Sequence, residues 1–435
     1  MLAPYLLCVL SYRIIYLVVA LQYRMKKFFI YIVASTILSF LVMTPLFAQV
    51  SPVASYSMND CSLNDDVGGF DGFIFGNLCA CGASSNGLEF SGNEIGDFNP
   101  GLTDVFGSDY TISFYASFNQ TVTQSMDILS IAETCNSDTA LLIRYLPEFS
   151  LVRIRFSDNA DNRIDLSAEI EQPGCLSHIV FTVEGSIGRI YINGVLMDEQ
   201  SGRSPFTFNP PDGIDLRLAD SPCNDIPIGG DTRFAGVIDE LIVYDRALIL
   251  REIRALDIRP NQILLNDTTI FEGQSIVLNT GQTCTDMFTW SPTDVLSDPS
   301  ITEPGGRPAL GTNIFTLTID DNNCMISDDV VINVVDRDVV SCSDLVLPNT
   351  FTPNGDGIND DFGISNPFLI DQLISFEIFD KWGGRIFQTN DVSGAWNGRR
   401  LDSGIEVGNS SYVYKVSYTC EGNTEVVTGV VNVLR

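Results

Sequence analysis

The sequence predicts an all-β protein of several domains. Its 435 residues exceed the ~100–200 that one domain usually occupies. Short apolar runs alternate with polar residues, which is the period of half-buried strands, and long helical periodicity is absent after the N-terminal leader. The 35 glycines, with many Asn, Asp, Ser and Thr residues, provide turns between such strands.

The first 48 residues are predicted to be a leader. Residues 25–48 have the three parts of a secretory signal, namely a basic start, an apolar core and a small-residue exit before Gln49. A second apolar run precedes it and contains Arg13, whose charge would be costly in lipid. Two interpretations stay open: translation starts at Met25, which the signal pattern favours, or the run forms a membrane hairpin. We expect a mature protein that does not span a membrane.

The chain after this leader is strongly acidic. The leader holds four basic residues and no acids, so 24 − 4 = 20 basic and 55 acidic residues remain, a net charge of −35. This charge argues against binding nucleic acid or anionic lipid through bulk electrostatics. It serves solubility at a cell surface, or it binds divalent cations through Asp and Asn oxygens, which calcium prefers.

Ten of the eleven cysteines follow the leader, and their even number in each segment suggests disulfide bonds within each domain. Six lie in residues 50–256, two in 258–337 and two in 342–435. Even counts predict closed sets, with Cys284–Cys324 and Cys342–Cys420 as pairs, while six cysteines allow fifteen connectivities. Zinc is disfavoured because no CxxC pair occurs and His178 is the one histidine.

Residues 342–435 combine dense turn chemistry with alternating strands. The segment opens with Pro-Asn-Gly-Asp-Gly at 353–357 and continues through alternating runs near 376 and 412 to a last strand at 430–435. Trp382 and Trp396 lie beside turn glycines and are predicted to pack in the domain. The segment resembles the gliding-motility-associated C-terminal domain, the type B sorting domain of type IX secretion in Bacteroidota. This resemblance implies the type IX secretion machinery as a partner and an outer-membrane surface or extracellular location.

Residues 50–256 contain many short strands with turns between them, including an Asn193-Gly194 hairpin turn. About 200 such residues suit a two-sheet sandwich or jelly roll. The segments 53–58, 87–92, 110–116, 189–195 and 234–248 together resemble a laminin-G-like, concanavalin-type jelly roll. The resemblance is specific for fold and not for ligand.

A calcium site is implied by this resemblance at three aspartates, Asp65, Asp66 and Asp239. The sequence departs from the family pattern at 64–69, where Asn-Asp-Asp-Val-Gly-Gly replaces Asp-x-Ser-Gly, and at 176–178, where Leu-Ser-His replaces Trp-His. The competing interpretation is that these aspartates make turns.

No catalytic residue is predicted. Glu169 and Glu171 form a Glu-x-Glu pair, and a glycosidase needs two carboxylates across the scissile bond. No third acid completes the laminarinase-type arrangement, so a surface-facing pair is favoured. His178 occupies a strand-entry position, where we expect it to pack or to form a hydrogen bond.

Residues 258–337 supply five short strands, turn segments at 291–294 and 304–308, and Trp290 as a core residue. They resemble the immunoglobulin- or PKD-like modules that precede this C-terminal domain in Bacteroidota surface proteins. We expect a spacer sandwich between the jelly roll and a small C-terminal β-sandwich.

The function that these features favour is non-catalytic, adhesin-like binding of a glycan or surface protein by the jelly roll. The alternatives are a divergent glycoside hydrolase or accessory module of a polysaccharide enzyme, and a structural matrix or filament component.

Overall fold

The computed structural model describes residues 51–76, 78–224, 230–285, 287–320, 324–355 and 358–435. Pro52–Arg435 form one compact unit. The predicted leader lies outside the described residues. Among those described, no helix has the length and apolar character needed to cross a bilayer. The described chain is almost entirely strand and loop, so the predicted all-β class is confirmed.

The first part of the chain, up to residue 244, is built from strands of two to ten residues. They are β1 (Ala54–Tyr56), β2 (Phe73–Phe75), β3 (Leu78–Cys81), β4 (Asn86–Ser91), β5 (Ile95–Asp97), β6 (Tyr110–Phe118), β7 (Met126–Ala132), β8 (Ala140–Leu146), β9 (Leu151–Asn159), β10 (Asn162–Glu169), β11 (Ser177–Glu184), β12 (Ile187–Ile192), β13 (Val195–Ser201), β14 (Arg217–Leu218), β15 (Thr232–Arg233) and β16 (Ala235–Tyr244). Short 3-10 turns at Pro100–Val105 and Pro147–Phe149 connect some of them.

These strands form two eight-stranded sheets. The first sheet has the order β13-β12-β11-β6-β16-β4-β3, with β1 beside β16. The second has the order β10-β9-β8-β7-β14-β5-β2, with β15 parallel to β7. Asn193 and Gly194 both have positive φ, 49° and 71°, as the predicted hairpin turn between β12 and β13 requires.

One large apolar core lies between the two sheets. Strand β6 shows how the sequence builds it, because alternate residues such as Ile112 and Phe114 join the core. The residues between them face outward and are also buried. Thr111 donates a hydrogen bond to the carbonyl oxygen of Arg246 at 2.8 Å, and Tyr115 donates to Asp257 at 2.8 Å. The segment after β16, with helix α1 (Leu250–Leu256), therefore covers part of the outer face of the first sheet.

The middle part of the chain has its own core around Trp290. Its strands are β17 (Thr268–Phe271), β18 (Ile276–Val277), β19 (Phe288–Ser291), β20 (Gly305–Gly306), β21 (Gly311–Asp320) and β22 (Met325–Val335). They form a four-stranded sheet, β17-β22-β21-β19, and a two-stranded sheet, β18-β20. Trp290 is 1% exposed and donates its Nε1 hydrogen to the Ile301 carbonyl at 3.1 Å, so it packs as the sequence predicts.

The C-terminal part forms a five-stranded sheet with a third core. Its strands are β23 (Thr350–Phe351), β24 (Gln372–Phe379), β25 (Arg385–Thr389), β26 (Ser410–Cys420) and β27 (Asn423–Val433), preceded or interrupted by 3-10 turns at Arg337–Val339, Cys342–Asp344 and Pro367–Leu369. The sheet order is β23-β27-β26-β24-β25. Trp396 is fully buried in this core, as predicted. The same prediction is wrong for Trp382, which is 85% exposed in the turn after β24.

The ten cysteines after the leader form five disulfide bonds. They are Cys61–Cys79, Cys81–Cys284, Cys135–Cys223, Cys175–Cys324 and Cys342–Cys420. The Cys342–Cys420 bond is the one predicted.

The predicted Cys284–Cys324 bond is wrong, because each of these cysteines bonds to the jelly roll. Cys284 precedes β19 and Cys324 precedes β22, and strand β21 separates those two strands in the sheet. The two bonds between the segments use two cysteines of the jelly roll and two of the middle part, so the number of cysteines in each segment is still even. Parity therefore could not exclude the observed pairing.

Candidate functional site

Asp65, the first of the predicted calcium ligands, uses its carboxylate to hold a loop. Its Oδ1 accepts hydrogen bonds from the backbone N–H groups of Ser55 and Val67, both at 3.0 Å. Its Oδ2 accepts one from the N–H of Phe70 at 3.1 Å. Asp66 is used in a similar way, since its Oδ2 accepts from the N–H of Ser57 at 2.8 Å. Both aspartates therefore shape the turn that the sequence offered as the alternative.

Asp239, the third predicted ligand, lies at a register shift between β16 and β6 and is fully buried. Its Oδ2 accepts a hydrogen bond from the N–H of Ala83 at 2.7 Å, while its Oδ1 has no hydrogen-bond partner. Burial, assisted by the neighbouring Glu240, raises the pKa of Asp239 to about 7.

The group of three ligand atoms within 4.8 Å of one another that is found among the described residues lies elsewhere and does not include Asp65, Asp66 or Asp239. The oxygens of Asp65 already accept hydrogen bonds from three backbone N–H groups. Calcium binding at this corner stays a prediction.

The buried state of Asp239 predicts a pH-dependent stability. The pKa is near 3.8 in the unfolded chain and about 7 in the folded chain, so folding favours the protonated form. Its contribution is fully present below about pH 4 and is lost as the pH rises through about 7. In the presence of chelator, the difference in free energy of unfolding, wild type minus Asp239→Asn, should decrease as the pH rises from about 4 to about 7. The slope should approach about 1.4 kcal/mol per pH unit. Denaturant titrations of both chains measure it, and parallel stability curves would contradict the assignment.

His178 is buried on β11 and does not reach a cleft. Its ring stacks on Tyr115 with centroids 4.7 Å apart, and its Nε2 lies 2.7 Å from the hydroxyl of Ser113. Its Nδ1 has no hydrogen-bond partner, so no carboxylate orients the ring as a catalytic triad requires. Burial lowers the pKa of His178 to about 4, so the ring is neutral at neutral pH. The histidine packs and forms a hydrogen bond, as the sequence predicts.

Glu169 and Glu171, the pair weighed for glycoside hydrolysis, are both exposed at and after the end of β10. Glu169 follows the alternating pattern of this strand and points away from the core. The two side chains are therefore placed as the surface-facing pair that the sequence favoured.

A second cluster lies on the outer face of the second sheet, around Asp127. Oxygens of Asp127 and Asp231 and the sulfur of Cys223 lie within 4.8 Å of one another, which is a spacing that a metal ion would accept. The sulfur belongs to the Cys135–Cys223 disulfide and is not a thiolate ligand. Arg144 lies at the same point, with Nη1 2.6 Å from Asp231 Oδ2 and Nε 3.9 Å from Asp127 Oδ1. The guanidinium group of Arg144 therefore supplies the positive charge beside these two carboxylates that a metal ion would otherwise supply.

Four arginines from three adjacent strands of the second sheet share its outer face, and we call them the arginine face: Arg144, Arg153, Arg155 and Arg163. Cross-strand pairing places Arg144 of β8 directly opposite Arg153 of β9. It also places Arg155 opposite Asp165 of β10, two residues after Arg163. Residues that face each other across a strand pair lie on the same side of a sheet. Arg153 and Arg163 are nearly half exposed, so solvent reaches this face.

One carboxylate serves three of these arginines. Asp165 lies 3.3 Å from Arg153, 3.7 Å from Arg155 and 2.5 Å from Arg163. The Nε of Arg155 is buried and makes no hydrogen bond. Burial first, and then the nearby Arg163 and Arg144, lower the pKa of Arg155 from its ordinary value. Three guanidinium groups therefore share one carboxylate, while Asp127 and Asp231 pair with Arg144 and Glu169 lies on the same side of β10 as Asp165.

The net charge of the chain gives no sign of this face, because it is a sum over residues that lie far apart in space. The alternation Arg153-Ile154-Arg155 could have placed two arginines on one side of a strand. Adding Arg144 and Arg163 requires the strand order and register, which no local pattern contains.

Comparison with protein-family models identifies two regions. Residues 92–254 match the Laminin_G_3 model, which is described as the concanavalin A-like lectin/glucanases superfamily. Residues 345–433 match the CHU_C type IX secretion signal domain. A comparison with curated proteins gave no match.

Several solved structures are similar to this chain at low identity and low TM-score. Domain 4 of AbnA, a GH43 extracellular arabinanase from Geobacillus stearothermophilus, solved with arabinotriose, is 22% identical over 48% of this chain and 98% of that chain, with a TM-score of 0.39. The CBM40 module of a Ruminococcus gnavus IT-sialidase, bound to α2,3-sialyllactose, is 13% identical over 42% and 98%, with a TM-score of 0.32. The binding domain of botulinum neurotoxin serotype C1 is 13% identical over 88% and 94%, with a TM-score of 0.41. Identities and TM-scores this low do not show which ligand this chain binds.

The two family models agree with both resemblances read from the sequence, and the second one indicates export to the cell surface or the extracellular space. The chain therefore carries a concanavalin A-like domain of the laminin-G type followed by a C-terminal type IX secretion signal domain, which is consistent with a Bacteroidota surface protein.

Proposed function

We propose that this protein is an exported, adhesin-like binding protein whose jelly roll binds glycans at the cell surface or outside the cell. The observation that carries the proposal is the outer face of β8, β9 and β10. Solvent reaches this face, and guanidinium groups on adjacent strands provide hydrogen-bond donors that suit sugar hydroxyl and carboxylate groups. The family of lectins and glucanases to which the domain belongs supports carbohydrate as the ligand class.

The titratable groups that the sequence offered for catalysis support binding rather than turnover. His178 is buried and neutral, and Glu169 and Glu171 are exposed on the surface. We infer that the middle module acts as a spacer fixed to the jelly roll by two disulfide bonds. In this arrangement the C-terminal domain directs export through the type IX secretion machinery, and the jelly roll meets the ligand.

A polysaccharide binding screen of the full chain, run with calcium and with chelator, tests this function. The full chain is needed because a fragment ending near residue 256 would leave Cys81 and Cys175 without their partners. We expect binding to at least one polysaccharide in both buffers. Binding that is lost with chelator would indicate a calcium-dependent site at the predicted ligands Asp65, Asp66 and Asp239, and then Asp66→Asn should abolish it while the exposed control Asp212→Asn should not.

Two other outcomes would change the assignment. No binding in either buffer would favour a structural matrix or filament role. Release of soluble sugar by the wild type, lost in Glu169→Gln/Glu171→Gln, would favour a glycoside hydrolase.

A further inference from the structure

We infer that the arginine face is a subsite for acidic polysaccharides, in which the guanidinium groups of Arg153, Arg155 and Arg163 bind a carboxylate or sulfate group of the glycan. This inference rests on the proposed glycan-binding function and names its ligand class. Arg144, at the margin of the face, is already occupied by Asp231 and Asp127.

Arg153, Arg155 and Arg163 share the single carboxylate of Asp165, while Arg144 is held by Asp127 and Asp231. Each guanidinium group carries several N–H donors, and one carboxylate has too few acceptor sites for the donors of three such groups. A second anion among these three arginines would accept hydrogen bonds that Asp165 cannot accept.

Arg155 has donors that its neighbours use poorly. Its Nε is buried and makes no hydrogen bond, although it lies 3.7 Å from Asp165 Oδ1. A further contact of Arg155 is long, at 3.4 Å from Nη1 to the carbonyl oxygen of Cys135. The side chain is 22% exposed, so a ligand would meet the terminal nitrogens of its planar fork, which fits a carboxylate or sulfate, and not the buried Nε.

Hydrogen bonds hold the face in place before any ligand arrives. Gln200 of β13 accepts a hydrogen bond from the N–H of Asp165 at 3.2 Å and donates one to the carbonyl oxygen of Asp165 at 2.6 Å. Asp198 similarly accepts from the N–H of Ser167 at 3.1 Å. These contacts tie the edge strand β10 to the first sheet. A preordered site loses less conformational freedom on binding.

The acidity of the whole chain makes the expected selectivity testable. A net charge of −31 repels polyanions in general, so binding of an acidic polymer must come from a local site. Neutral polymers would not gain from the guanidinium charge. Binding through exposed arginines should also weaken as salt is raised.

The test uses the full chain with three probes: polygalacturonate, which carries carboxylates, dextran sulfate, which carries sulfates, and neutral dextran. The double variant Arg153→Gln/Arg163→Gln should weaken binding of an acidic probe by at least about tenfold, because each lost charged hydrogen bond is worth about that much. The control Arg189→Gln/Arg251→Gln removes the same charge from β12 and α1 and should change binding less than about threefold.

Two further measurements separate ligand chemistry from folding. Arg153→Lys/Arg163→Lys keeps the charge and loses the planar fork, so it should restore part of the affinity. Both positions are nearly half exposed, and thermal unfolding of each variant should match the wild type closely. Preference for polygalacturonate over dextran sulfate would assign a carboxylate, and the reverse preference would assign a sulfate.

The outcomes distinguish this inference from the proposed function. If the chain binds neutral glycans and shows no preference for acidic ones, or if the control variant loses as much affinity as the face variant, the subsite is disproved and the glycan-binding function stands. If the chain binds none of the probes and nothing in the wider screen, both fail.

Discussion

Replacing Trp396 by alanine is expected to unfold the C-terminal sheet and to block export. The indole is fully buried, packs at 5.3 Å from the ring of Phe351 and 5.2 Å from that of Tyr412, and donates its Nε1 hydrogen to the Arg399 carbonyl at 2.8 Å. Removing a buried aromatic of this size costs about 3–5 kcal/mol, a large share of the stability of one domain. We expect a matching loss in the free energy of unfolding and accumulation of the variant in the periplasm.

Trp382 provides the matched control for this experiment. It is the same residue type in the same domain, but it is 85% exposed, with Lys381 Nζ 5.3 Å from its ring centroid. Trp382→Ala should change the free energy of unfolding by less than about 0.5 kcal/mol. Equal losses of stability in the two variants would contradict the packing described for Trp396. A stable Trp382→Ala chain that fails to leave the periplasm would instead identify the exposed indole as a contact of the secretion machinery.

Removing both disulfides between the jelly roll and the middle module is expected to separate their unfolding. The variant Cys81→Ala/Cys175→Ala/Cys284→Ala/Cys324→Ala eliminates cross-links that span 203 and 149 residues. Cross-links over long loops restrict the unfolded chain, and each is typically worth about 2–4 kcal/mol. We expect calorimetry to show separate transitions at lower temperature, and limited proteolysis to cut the linker near residues 257–262.

The variant Cys342→Ala/Cys420→Ala is the control, because that bond lies within the C-terminal region. It should destabilise this region and leave the coupling between the jelly roll and the middle module unchanged. A four-cysteine variant that keeps the wild-type transitions and resists proteolysis at the linker would show that non-covalent contacts hold the two modules together.

The middle module is therefore more than a passive sandwich joined by a flexible linker. Its cysteines Cys284 and Cys324 bond to Cys81 and Cys175 of the jelly roll. Two covalent links at separate points fix the orientation of one module on the other. Such rigidity would suit a spacer that presents a binding face away from a membrane.

Local sequence was sufficient for much of the fold. Asn193-Gly194 predicted a hairpin, and Trp290 and Trp396 were predicted to be packed residues, as the structure shows. These features depend on residues within one strand or turn, where side-chain period and backbone preference act directly. The burial of His178 was also predictable, because it stands at the start of an apolar strand.

By itself, then, the sequence determined the all-β class, the export signal domain at the C-terminus and the jelly-roll family of the first region. Only the tertiary structure decided the partners of Cys284 and Cys324, the exposure of Trp382, the burial of Asp239, and the arginine face. Each of these depends on strand order, register or the docking of one module on another. Such contacts join residues far apart in the chain, so no local pattern encodes them.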